Sequence, residues 1–257
     1  MQKLTIIKVG GKIVEEPDTL AALIADFARI PGLKLLVHGG GRSATRIASQ
    51  LGIEQKMVDG RRITDADTLR VVTMVYGGLV NKNIVTSLQA AGINAIGLTG
   101  ADMDIIRSHR RPAGNVDYGF VGDVDRVDAQ AIARILDAGM VPVIAPLSHD
   151  GQGSMLNTNA DTIASEVACA LAPLFDTTLT FCFEKAGVLA DENDDSSVIE
   201  KINRATYQQL RDRNIIVGGM IPKLDNAFKA LNSGVREVII TKADALGKSG
   251  CGTVICH

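Results

Sequence analysis

The feature that most constrains this chain is a rhythm. Short runs rich in Leu, Val and Ile (LTIIKV, KLLV, NAIGL, VPVIA, TLTFCF and EVIIT) alternate with longer stretches whose apolar residues recur every three or four positions. TLAALIADFARI, SATRIASQLG, TLRVVTMVYGGLVNKNIVTSLQAAG, AQAIARILDAG, ADTIASEVACALA, TYQQLRDRN and PKLDNAFKALNSG carry that helical spacing. Several end in Gly, which tolerates the left-handed backbone of a helix C-terminus. Strand–helix alternation of this kind predicts an α/β fold, a three-layer sandwich with a mainly parallel central sheet. Residues 56–64 and 105–125 break the rhythm and read as hairpins over one edge. No linker, low-complexity segment or internal repeat divides the chain, so the expectation is one domain with two lobes. DENDDSSV (191–198) reads as a solvated acidic turn rather than a metal site.

At 257 residues the chain can bury most of its apolar surface. Its formal charge of −2, 4% aromatic content and lack of Trp leave neither a basic footprint nor a stacking surface for nucleic acid. Any anion site must be built from a few placed cations. No apolar run reaches the ~18 residues a membrane span needs, and the N-terminus lacks a secretory pattern, so neither membrane nor export is expected. Cys169, Cys182, Cys251 and Cys256 form no CxxC and have no metal-spaced His partner. They read as buried, reduced thiols of a cytoplasmic protein, with Cys256 and His257 at a frayed end.

Against that background a few polar residues stand out. IIKVGGK puts Lys8 in the last turn of a strand, followed by Gly10 and Gly11, where another group can approach the backbone closely. A phosphate would account for the cation, yet the phosphate-loop pattern GxxxxGK[ST] is absent. VHGGGRS (37–43) follows a strand and opens a helix, so its amides can form an anion nest; close strand–helix packing is the plainer alternative. GGGRSA also fits the dinucleotide fingerprint GxGxxA. Asp59 has the right distance for its acidic partner, but it follows the polar stretch EQKMV. In extended backbone Arg61 and Arg62 point to opposite faces, so one of them could fork a carboxylate while the pair could equally be superficial. NTNADTIASE places Asn157, Asn159 and Asp161 ahead of a helix, with Asn159 or Asp161 able to cap it. GGMIPKLDNA sets Lys223 early in a helix after Gly218 and Gly219, where a cation opposes the helix dipole unless an anion lies between.

The order IKVGGK, HGGG, GRRIT, LNTNAD, GGMIPK, with GLTGAD (97–102) and GFVGDV (119–124), resembles the amino-acid kinase family over essentially the whole chain. That resemblance implies the family's fold, with an acylglutamate-binding lobe at about 1–172 and a nucleotide-binding lobe at about 173–257. It is nearest the branch that phosphorylates the γ-carboxylate of N-acetyl-L-glutamate in arginine biosynthesis. By the same resemblance Lys8 and Lys223 would straddle the transferring phosphoryl group and Asp161 would orient both. Gly40, Gly41, Arg62 and Asn157 would bind the acylglutamate. Gly10 and Gly11 would line the phosphoryl path. ATP would lie over Glu184, Lys185, Ala186, Gly187, Val188, Leu189, Ile215, Ile216 and Val217. Mg²⁺ would arrive bound chiefly to ATP phosphates, with no protein ligand named.

The chain departs from the family at Glu184, where an aspartate is usual, and at Arg61, where an apolar residue is common. Arg61, or Arg42 after the glycine run, would suit the second carboxylate of N-succinyl-L-glutamate, the alternative substrate. Arginine-inhibited relatives carry a helix before their first strand, whereas this chain reaches Lys8 almost at once, so the expectation is a homodimer indifferent to free arginine. A dinucleotide-dependent oxidoreductase and a non-catalytic amino-acid sensor are the rival classes. Binding of ATP with Mg²⁺ but not NAD separates the first, and retention of both lysines with Asp161 argues against the second.

Overall fold

The computed structural model describes residues 1–58, 60–218, 220–248 and 250–257. From the N-terminus run β1 (Lys3–Val9), α1 (Gly11–Glu15), α2 (Pro17–Arg29), β2 (Leu33–His38), α3 (Gly41–Gln50), β3 (Met57–Val58) and β4 (Arg61–Arg62). There follow α4 (Ala66–Val72), a π-helical segment (Thr73–Val80), α5 (Asn81–Ala90), β5 (Ala95–Leu98), β6 (Ile106–Arg110), β7 (Gly122–Val127), α6 (Ala129–Asp137) and β8 (Val141–Ile144). The remainder is β9 (Leu147–His149), β10 (Met155–Asn157), α7 (Ala160–Leu171), β11 (Asp176–Phe183), β12 (Lys201–Ile202), α8 (Arg204–Asp212), α9 (Met220–Asn232), β13 (Glu237–Lys242) and β14 (Thr253–Ile255).

The main sheet has eight strands in the order β12-β14-β13-β11-β1-β2-β8-β5, and only the β13–β14 pairing is antiparallel. Its strands are buried on both faces, and successive side chains feed two separate cores. Leu4 and Ile6 of β1, Leu35 and Val37 of β2, and Leu179 and Phe181 of β11 pack with α6, α7, α8 and α9. Ile7, Val9, Leu36 and Cys182 pack on the other side with α2, α3, α4, the π-helical segment and α5. The expected three-layer α/β sandwich is thus observed. That alternation has a direct consequence. Lys8 shares its face with Leu4 and Ile6 and so points toward α7 and α9.

Both irregular regions are hairpins, β3–β4 and β6–β7. The second belongs to a separate four-stranded sheet, β10-β9-β6-β7, rather than lying as a lone ribbon over the main one. The long helical stretch expected over 68–92 is observed as one continuous run over 66–90, with π geometry from Thr73 to Val80, across Gly77 and Gly78. Two expectations need correction at the C-terminus. The end is not frayed, because β14 pairs with β13 and β12, and the Cys256 amide donates to Ile202 O at 3.1 Å. Nor are all four thiols buried: Cys182 is, Cys169 and Cys256 are half-buried, and Cys251 is exposed in a glycine-flanked turn. No described helix is long and apolar enough to cross a membrane.

Candidate active site

β1 lies between β2 and β11, and the chain leaves β1 and β11 in opposite directions across the sheet. A crevice therefore opens at the carboxyl ends of these strands, the usual ligand position in an open α/β sheet. The strand ends deliver Lys8 with Gly10 and Gly11, His38 with the glycines of the second turn, and Phe183 with Glu184. The two glycine turns press on each other. A Cβ on Gly39 would stand 2.9 Å from Gly11 N, and one on Gly11 would stand 3.1 Å from Gly40 N. The amides of Gly10 and Gly39 are taken by Cys182 O at 3.1 Å and Val9 O at 3.0 Å, so the close packing of the turns leaves those of Gly11, Gly40 and Gly41 for an anion.

Asp161 lies at the centre. Asn159 caps α7, its Oδ1 accepting from the amides of Asp161 at 2.8 Å and Thr162 at 3.1 Å. This resolves which residue is the cap and leaves the Asp161 carboxylate free for other partners. Lys8 Nζ sits 2.7 Å from Oδ1 and Lys223 Nζ, from the first turns of α9, donates to Oδ2 at 2.6 Å. Lys8 and Asp161 are 9% and 8% exposed, and Lys223 is half-buried, so a buried ion pair is joined from the cleft side by a second cation. Burial alone would push the Asp161 carboxyl up, but the charges of Lys8 and then Lys223 outweigh it and hold the group at about 2. Each Asp161 oxygen thus faces one lysine ammonium. Among the described residues no group of three acidic, His or Cys side chains is arranged to hold a metal.

Two cavities lie side by side here, the larger reaching both lysines of the triad. One, of about 960 Å³, is lined by Lys8, Gly10, Gly11, Glu184, Lys185 and Lys223 among others. The other, of about 220 Å³, takes in Gly40, Gly41, Arg62, Tyr76, Asn157 and Arg111. Gly41, Met57 and Arg62 line both. Arg62 is buried, and its guanidinium is held by Gln55 Oε1, by Gly41 O at 2.9 Å and by Thr45 Oγ1 at 2.9 Å. A guanidinium has five donors, so two remain for a ligand. Asn157 is fixed from the opposite side, its Nδ2 donating to Thr64 Oγ1 at 3.0 Å and its amide to Phe120 O at 2.9 Å.

The structure thus brings together Lys8, Lys223, Asp161, Gly10, Gly11, Gly40, Gly41, Arg62 and Asn157. The other expected nucleotide residues divide. Glu184 is exposed and pairs with Lys12 at 3.2 Å and Arg42 at 3.5 Å, while Lys185 reaches Glu192 O at 3.1 Å. Ala186 is half-buried beside them. Gly187, Val188 and Leu189 are buried, with Val188 N donating to Thr253 Oγ1 at 2.8 Å, so this part anchors the loop on β14. Ile216 is buried, Ile215 half-buried and Val217 exposed. Val188 has both backbone groups taken, its carbonyl accepting from Ile199 N at 2.8 Å, and the buried Ile216 can offer a ligand only its backbone. Asp59 and Gly219 lie outside the described residues.

Sequence reasoning passed over Lys12, Tyr76 and Arg111. Arg111 pairs with Asp123 through Nε at 3.0 Å, while its Nη1 is buried without a hydrogen-bond partner. That pairing raises the Arg111 pKa further and lowers that of Asp123. Arg61 is exposed, as its strand phase predicts, yet it stands at the rim of the same small cavity.

Comparison with known proteins agrees with this geometry. A family model described as "Amino acid kinase family" matches residues 3–242. The chain is 67% identical to acetylglutamate kinase of Bacteroides thetaiotaomicron, over 99% of this chain and 98% of that protein. It is 66% identical to acetylglutamate kinase of Bacteroides fragilis, over 97% of this chain and 95% of that one. A crystal structure from Streptococcus mutans superposes with a TM-score of 0.81 at 30% identity, covering 98% of each chain.

Proposed function

The chain belongs to the amino acid kinase family, and from that premise we propose that it is an ATP-dependent kinase phosphorylating the γ-carboxylate of N-acetyl-L-glutamate, a step of arginine biosynthesis. The observation that carries this reading is the Lys8–Asp161–Lys223 triad set against two facing glycine turns. Phosphoryl transfer asks a protein for positioning and charge neutralisation more than for covalent help. The γ-carboxylate oxygen attacks the terminal phosphorus of ATP, the bond to the β-phosphate oxygen breaks, and ADP and the acyl phosphate result. No general base is needed, because the nucleophile is ionised near neutral pH. Lys8 and Lys223 would spread positive charge along the transferring group, and Asp161 would keep both ammonium groups aimed. Amides of Gly11, Gly40 and Gly41 would supply further donors, while the Gly10 amide is already bonded to Cys182 O at 3.1 Å and Gly10 would serve by lining the path.

Arg62 and Asn157 flank the smaller cavity and would hold the amino acid, Arg62 through the donors left free by its three protein contacts. The larger cleft suits ATP over Glu184–Ala186, with backbone contributions from the buried stretches beyond and from Ile215–Val217. In this reading residues 1–172 bind the acylglutamate and 173–257 the nucleotide. Mg²⁺ would be carried chiefly by the ATP phosphates. A homodimer in the cytoplasm completes the proposal; exposed Met74 and Leu79 on the π-helical segment are apolar surface available to a second copy. The test is ATP-dependent hydroxamate formation across N-acetyl-L-glutamate, N-succinyl-L-glutamate and free glutamate, with light scattering for assembly. No hydroxamate with any of them would refute the reading.

A second substrate is favoured by one specific observation. Arg111 lines the small cavity with a buried, unpartnered Nη1, and Arg61 stands at its rim. Burying the extra carboxylate of N-succinyl-L-glutamate without a partner would be costly, and these are partners. Comparison of kcat/KM for the two acylglutamates, repeated with Arg61→Leu and Arg111→Leu, decides. A succinyl preference abolished by either substitution replaces the acetyl reading; a strong acetyl preference retains it.

A further inference from the structure

One buried titratable group at the site has no part in the scheme above. His38 ends β2 immediately before the glycine turn and is wholly buried on the face opposite Lys8. Its Nδ1 lies 2.7 Å from Gly39 O, and its Nε2 lies 3.1 Å from Asn81 Nδ2. Asn81, at the start of α5, is also wholly buried. Its amide is oriented by two other contacts. Nδ2 donates to Val143 O on β8 at 2.9 Å, and Oδ1 accepts from Lys82 Nζ at 3.2 Å, a lysine itself anchored on Gly97 O at 3.1 Å.

This chain of contacts has one consistent assignment of protons. A carbonyl on one side and an ammonium on the other fix which Asn81 atom is the nitrogen, so Asn81 donates to His38 Nε2. Nε2 must then accept, which leaves the single proton of a neutral imidazole on Nδ1, donating to Gly39 O. Burial pushes the imidazole down to about 4, against the Gly39 bond, which raises it, and with Lys82, which lowers it, so the ring stays neutral near pH 7. A trans peptide is planar, and its carbonyl and the next N–H point in opposite directions. Pinning Gly39 O toward His38 therefore turns the Gly40 N–H away from it, and Gly40 N faces the Gly11 turn.

We propose that His38 is a positioning residue of the phosphoryl-transfer site, its Nδ1–H holding the Gly39–Gly40 peptide so that the Gly40 amide is presented to the reacting groups, with Asn81 and Lys82 locking the tautomer. The proposal rests on the kinase reading for its function but not for its proton assignment. The plain alternative is a core histidine that merely finds partners. The two differ in which nitrogen matters. An asparagine at 38 can reproduce the Nδ1–H donor, whereas a glutamine reaches the Nε2 position instead.

His38→Gln should lower kcat by about 10²-fold, the scale of losing one aimed donor, with both KM values within about threefold of wild type. His38→Asn should retain kcat within about tenfold. Independently, ¹⁵N-labelled wild-type protein, which has four histidines, should give one ring with an unprotonated Nε2 and a protonated Nδ1 from pH 5 to 8, absent from His38→Gln. Equal losses in both variants, full kcat in His38→Gln, or protonation of the His38 ring itself on Nε2 would each overturn the proposal. The ring assignment stands or falls even where variants fold poorly. Wild-type protein inactive on every acyl acceptor would instead overturn the kinase reading.

Discussion

Replacing Asp161 by asparagine removes one charge and leaves two ammonium groups facing each other across a neutral amide. The magnitude follows from the site. The carboxyl stands at about 2 in the folded chain against an ordinary 3.8, a displacement of just under two units. At 1.36 kcal/mol per unit this is about 2 kcal/mol of stability near pH 7, and the group is too buried for solvent to discount it. Loss of one partner from a buried ionic cluster sets an upper figure of about 3–5 kcal/mol. The sign is fixed by the direction of the shift. A carboxyl lowered on folding contributes fully above its unfolded pKa, and the contribution disappears as pH falls through the folded value. Differential scanning fluorimetry of Asp161→Asn at pH 7 should therefore show Tm lower by about 4–8 °C, at about 2–4 °C per kcal/mol for a chain of this size. In urea titrations the wild-type advantage should fall to about half by pH 3. An asparagine variant as stable as wild type at pH 7, or a deficit unchanged on acidification, would refute the electrostatic account of the triad.

Three further outcomes are expected. Lys8→Ala and Lys223→Ala should each lower kcat by about 10²-fold or more while substrate KM changes less, and steady-state kinetics with near-normal kcat would remove that lysine from the mechanism. Arg62→Lys cannot reproduce the guanidinium fork and should raise KM for the acyl amino acid with ATP affinity intact; equal weakening of both, measured by calorimetry, would indicate a folding defect instead. Gly97→Ala would place a Cβ 1.9 Å from Oδ1 of the wholly buried Asn81, and urea titration should register about 1–3 kcal/mol of destabilisation; no loss would mean that Asn81 can move.

Much of the triad was legible because its members offend local rules. Lys8 interrupts an apolar strand, and Lys223 is a cation near a helix N-terminus; each asks for an anion that its own segment does not provide. The strand phase then says which face Lys8 takes, and the structure finds Asp161 on that face. The main strands were equally legible, since each has at least four residues of Leu-, Val- or Ile-rich pattern. β9, β10, β12 and β14 have three, three, two and three residues. A pattern of period two has no statistical weight over that length, so their existence depends on partners far along the chain. The same limit hid His38 and Asn81, which lie 43 residues apart and meet only when α5 packs on β2 and β8.

The two acidic residues at the crevice differ in a way that composition cannot express and burial can. Asp161 and Lys8 are buried and Lys223 is only partly exposed, so these pairs compete little with water. Glu184 holds Lys12 and Arg42 at the mouth of the larger cleft, with side chains 42–63% exposed. Exposed pairs are worth about 0–1 kcal/mol, so a polyphosphate can take Glu184's place at little cost. The triad itself carries two positive charges and one negative, a net +1 in a buried setting that only an incoming anion can neutralise. Glu184 thus stands in exposed, weak pairs, whereas the Asp161 carboxylate stands in close contact with both lysines.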